Sequence, residues 1–61
     1  MIDISEELTE SFLNGNISYV MEALGDMQNF EAMMVAIRVY ENLNTHQKHS
    51  FCKSIVDRIS I

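Results

Sequence analysis

A run of six consecutive apolar residues, at positions 32–37, constrains this 61-residue chain more than any other feature. The run lies within residues 30–43, which read FEAMMVAIRVYENL. At 100° per residue, the apolar side chains of this segment spread over roughly 220° of a helical wheel, whereas a surface helix needs a stripe of about 100°. We therefore predict a helix with more apolar surface than one neighbouring helix can cover. Either the other helices of the same chain bury all of it, as in a central core helix, or a partner covers a remaining strip.

The length of the run and the small size of the chain limit what kind of protein this is. Six apolar residues are far fewer than the roughly 20 that span a membrane, so we expect no membrane contact. The opening residues, MIDISEEL, show no signal peptide, and the single Cys52 fits a reducing compartment. We expect a cytoplasmic location. A chain this short buries only about 60% of its unfolded surface, which makes self-association an expected aid to stability.

The spacing of apolar and turn-forming residues predicts the fold class. The β-branched residues recur at helical intervals and do not alternate as they would in a strand. We predict a single all-α domain over residues 1–61, a compact bundle of three to four short helices with the third helix central. The predicted helices cover about residues 4–13, 17–24, 30–43 and 46–59.

Turn-forming and capping residues set the predicted helix ends. Asp3 begins the D-x-x-E spacing of a capping pair at the start of the first helix. Gly15 and Gly25 are expected to end the first and second helices, because glycine tolerates the left-handed conformation found just past a helix end. Asp26 or Asn29 is the expected N-cap of the third helix.

His46, His49 and Cys52 form the one group with metal-ligand chemistry, spaced H-x2-H-x2-C on the fourth predicted helix. The two histidines lie about 60° apart on the wheel, but Cys52 turns toward the apolar face of this helix. The other residues of that predicted face are Phe51, Ile55, Val56 and Ile59. A structural zinc site takes four ligands, usually from two segments, and no second segment offers Cys or His. We predict solvated histidines, a buried thiol and no metal or cofactor. A site shared across a dimer is the alternative left open.

Residues suited to catalysis are scarce. Gly15 and Gly25 are isolated in the sequence, so no glycine-rich phosphate loop is present. A buried Cys52 would be inert, since reactive thiols need an activating environment. A bundle this small is expected to leave no room for a pocket of several hundred Å³. We therefore expect no catalytic residue, no small-molecule substrate and no enzymatic activity.

The net charge of −5 conceals a strong asymmetry along the chain. Seven acids and no Lys or Arg precede residue 38, whereas four basic residues and two acids follow from Arg38 onward. The acidic part repels phosphate backbones, which disfavours nucleic-acid binding. The same asymmetry suits a dimer in which the first helix of one copy faces the last helix of the other. Such charges orient association, while apolar burial drives it.

These observations predict a small acidic protein-interaction module. We expect a regulatory, inhibitory or adaptor protein, of the kind common among bacterial and bacteriophage accessory proteins, that docks an apolar helix face onto a partner, acting as a homodimer. The alternative is a nucleic-acid-related regulator, either an acidic mimic of DNA that occupies a DNA-binding protein or a weak helix-turn-helix-like binder. The predicted partner-binding residues are Met33, Met34, Val35, Ile37 and Tyr40 on the third helix and Glu6, Glu7 and Glu10 on the first.

Overall fold

The computed structural model describes residues 3–59, and these residues form four α-helices without a strand. The helices are α1 (Ile4–Leu13), α2 (Ile17–Gly25), α3 (Asn29–Glu41) and α4 (Thr45–Ile59). The Cα radius of gyration is 10.6 Å, close to the roughly 10.5 Å expected for a compact chain of this length. The predicted small all-α bundle is confirmed, and α3 ends two residues earlier than predicted.

α1 begins at a side-chain cap and ends at a left-handed glycine. Oδ1 of Asp3 accepts a hydrogen bond from the Ser5 backbone N–H at 3.0 Å, which satisfies one of the donors left free in the first turn. Gly15 has a φ of 86°, and its N–H donates to the Phe12 carbonyl at 3.0 Å. The cap at Asp3 and the stop at Gly15 are both confirmed.

The predictions for the connection between α2 and α3 are wrong in detail. Gly25 is the last helical residue of α2 and has no positive φ, and Asp26 is the C-cap of that helix. Asn29 is the first residue of α3, and the N-cap position before it belongs to Gln28, whose side chain makes no capping hydrogen bond. The start of α3 therefore depends on packing more than on a local side-chain cap.

The start of α4 is set by a reciprocal pair of hydrogen bonds. Oδ1 of Asn44 accepts from the Gln47 N–H at 2.8 Å, and Oε1 of Gln47 accepts from the Asn44 N–H at 3.0 Å. This is the geometry of a capping box, in which two free donors of the helix start are satisfied together. The break predicted at Asn44 is confirmed, and the N-x-x-Q spacing of Asn44 and Gln47 is the sequence signal for this capping box.

A small core draws on all four helices. The rings of Phe12 and Phe51 meet edge to face with their centroids 5.3 Å apart, a favourable geometry for an aromatic pair. α3 contacts each of the other helices and packs most extensively against α1. The buried apolar side chains are Leu8, Phe12, Val20, Met21, Val35, Val39, Leu43 and Phe51.

The predicted apolar face of α4 is only partly buried. Phe51 is in the core and Ile55 packs against it, whereas Cys52 and Val56 are exposed. The side chain of Ile59, which was predicted to share this face, lies outside the part of the chain that the structure describes. The reason for the exposure is that α4 contacts α2 and α3 less extensively than α1 contacts α3. The prediction of a buried Cys52 thiol is therefore wrong.

Candidate docking surface on α3

The outer side of α3 exposes large apolar side chains along its length. Their exposed fractions run from 38% at Tyr40 to 70% at Phe30. On the wheel they span about 120° and are centred opposite Val35 and Val39, the two buried residues of this helix. Glu41 is the one charged residue of α3 that the wheel places among them. We call this surface the α3 ridge; it consists of Phe30, Met33, Met34, Ile37 and Tyr40.

An open groove runs beside the α3 ridge on the side of α4. Its volume is about 710 Å³, and its lining is mostly apolar, contributed by α2, α3 and α4. Ala32 and Ala36 lie one helical turn apart in this lining, with Cys52 and Ile55 contributed by α4. Small side chains on α3 leave the space between the helices unfilled. The expectation that so small a bundle has no room for such a cavity is therefore wrong.

A smaller depression borders the α3 ridge on the side of α1. Its volume is about 380 Å³, and it is lined by residues that include Ile4, Phe30 and Met34. Nη1 of Arg38 lies 3.4 Å from Oδ2 of Asp3 at this border, with both side chains about half exposed. The α3 ridge therefore lies between two concave surfaces, one next to α1 and one next to α4.

The two borders of the α3 ridge carry different charged residues. On the side of α4, Nζ of Lys48 lies 5.2 Å from the centroid of the Tyr40 ring, and Arg58 lines the groove. We call Lys48 and Arg58 the basic edge. On the side of α1, the charged residues that line the depression are Asp3, Glu31 and Arg38.

Hydrogen bonds perturb the titration of two surface residues on this side of the molecule. The backbone N–H of Ser5 lowers the pKa of the Asp3 carboxyl, and the Arg38 guanidinium lowers it further to a smaller extent. The hydroxyl of Tyr19 donates to Oε1 of Glu7 at 3.2 Å, which raises the pKa of Tyr19. Glu7 is therefore engaged in a contact between α1 and α2, unlike Glu6 and Glu10.

The structure separates the residues that the sequence grouped on the third helix. Met33, Met34, Ile37 and Tyr40 are exposed on the α3 ridge, whereas Val35 is 7% exposed and belongs to the core. Val35 lies on the core side because it precedes the fully buried Val39 by one helical turn.

Glu6, Glu7 and Glu10 are all exposed on α1. Phe30 was missed as a surface residue although it is the most exposed of the large apolar side chains. The sequence offered a signal for it, because Phe30 lies two helical turns before Ile37 and therefore on the same stripe.

His46, His49 and Cys52 are all exposed on α4. Within residues 3–59, no three His, Cys, Asp or Glu side chains are grouped so that they could hold a metal ion. Cys52 instead lies in the apolar lining of the groove.

Comparisons with other proteins identify no family and no relative for this chain. No protein-family model matches the chain, and neither the curated proteins nor the solved structures give a match. In the part of the chain that the structure describes, no helix is both long and apolar enough to cross a membrane. The surface around α3 is therefore interpreted from its own geometry and charge.

Proposed function

We propose that this protein is a small acidic interaction module that binds another protein chain through the α3 ridge. The main observation in support of this proposal is that five large apolar side chains on one helix are between 38% and 70% exposed. Monomeric globular proteins rarely leave contiguous apolar patches uncovered unless the patch has a partner. Removing such surface from water stabilises a complex by about 25 cal/mol per Å² before the costs of association are subtracted.

The composition of the α3 ridge supports recognition of a protein surface. Phe30, Met33, Met34 and Ile37 follow the i, i+3, i+4, i+7 spacing of the anchor residues that helices present to grooves. Aromatic residues and methionine are enriched at protein interfaces, and methionine side chains adapt their shape to a partner. No reactive group is required in this activity. The module acts by occluding or bridging its partner, which fits a regulatory, inhibitory or adaptor role.

The acidic residues of α1 support a steering role. Glu6 and Glu10 are exposed on α1 and add to the negative charge of the first 37 residues. Such a field raises the association rate with a positively charged surface and is weakened by salt. The lone thiol of Cys52 fits a reducing compartment, so the proposal places this activity in the cytoplasm.

The alternative of a nucleic-acid-related regulator has weaker support. The exposed residues near the start of α3 are Phe30, Glu31, Met33 and Met34. A recognition helix needs Arg, Lys, Asn or Gln at such positions to reach base edges. An acidic mimic of DNA would bind through the α1 acids and not through the α3 ridge, so substitutions on the two surfaces separate the two proposals.

Matched substitutions on two exposed apolar residues test the proposed function. Ile37 and Leu13 are 52% and 51% exposed, but Leu13 lies on α1 and lines neither concavity. Immobilised protein is incubated with an extract of the source cells, and captured chains are identified by mass spectrometry. We expect Leu13→Asp to retain the capture seen with the unsubstituted protein, and Ile37→Asp to lose it by tenfold or more.

Two results would contradict the proposed function. One is equal capture by Ile37→Asp and the unsubstituted protein. The other is an unsubstituted protein that neither captures a chain nor associates with itself.

Charge reversal at Glu6 and Glu10 tests steering. We expect slower association, a flatter dependence on salt and little change in the dissociation rate, measured by surface plasmon resonance with the captured chain. Complete loss of binding together with unimpaired binding by Ile37→Asp would instead favour the DNA-mimic alternative.

A further inference from the structure

We draw no further inference here: the strongest candidate, the apolar groove between α3 and α4 beside the α3 ridge, carries none because nothing in the structure shows what covers it.

Discussion

Val39 and Ile37 lie two residues apart in α3, both are β-branched, and their exposed fractions are 0% and 52%. Val39 packs in the core formed by all four helices, while Ile37 projects from the opposite side of the same helix. Both side chains favour burial, since each loses contact with water when it is covered. The comparison shows that an apolar side chain favours burial but does not determine which neighbouring residues bury it.

The number and length of the other helices explain why one side of α3 is covered and the other is not. α1, α2 and α4 have 10, 9 and 15 residues, and all of them pack on the inner side of α3 or at its borders. Within residues 3–59, no further helix lies on the outer side of α3. We therefore use the two sides of α3 as a matched pair in the predictions below.

The largest expected difference between the two sides comes from introducing a charge. Val39→Asp places an unpaired carboxylate in the core, which costs several kcal/mol in a domain whose total stability is of that order. We expect Val39→Asp to lose its helical far-UV circular dichroism at low micromolar concentration, where association is negligible. We expect Ile37→Asp to keep it, because Ile37 is already half exposed. If Val39→Asp and Ile37→Asp are both folded, or both unfolded, the proposed difference between the two sides of α3 is contradicted.

A second pair of variants compares a phenylalanine in the core with a phenylalanine on the α3 ridge. Phe51 is 1% exposed and packs edge to face against Phe12, whereas Phe30 is 70% exposed on the α3 ridge. We expect Phe51→Ala to lower the free energy of unfolding by about 3–5 kcal/mol, because it leaves a cavity in the core. Phe30→Ala should change it by less than about 0.5 kcal/mol. Urea titration of dilute protein measures both values, and a comparable loss in the two variants would contradict this assignment.

The smallest expected effect lies at the border between the two sides, where Asp3 caps α1 and pairs with Arg38. Loss of an N-cap aspartate should lower the Tm by roughly 4–8 °C in a domain this small. Arg38→Ala should lower it less, because an exposed ion pair contributes little. Differential scanning calorimetry at pH 7 compares the two variants, and an equal or larger effect of Arg38→Ala would assign the main role to the ion pair.

The pH dependence provides a check on Asp3. Its folded pKa lies below the usual 3.8, so its ionised form is favoured by folding. The contribution to stability is present above pH 3.8 and is lost as the pH falls through the lower folded value. We expect the Tm difference between Asp3→Ala and the unsubstituted protein to shrink in that acidic range and to be constant near neutral pH.

Local signals explain why the helices were predictable. The cap at Asp3, the left-handed turn at Gly15 and the break at Asn44 are formed by residues within a few positions of one another. Such interactions do not depend on the rest of the fold, so the sequence was sufficient to locate the ends of α1 and the start of α4. It failed between α2 and α3, where no side-chain cap exists and packing sets the boundary.

The candidate surface was only partly predictable because burial depends on distant residues. Met34 and Val35 are adjacent and both lay at the edges of the polar strip on the wheel, yet Met34 is 44% exposed and Val35 is 7% exposed. Cys52 was expected in the core and instead lines the groove beside α3. In each case, the position of another helix decides the outcome, and helical periodicity carries no information about that position.

The sequence by itself determined an all-α chain, the approximate bounds of four helices, and an α3 with a wider apolar face than an ordinary surface helix. Those properties follow from hydrogen bonds within a few residues and from the 3.6-residue period of the helix. The tertiary structure decided which apolar side chains of α3 are buried, where the groove lies and which charges border the α3 ridge. Those properties follow from the relative placement of helices, which depends on side-chain packing between residues far apart in the chain.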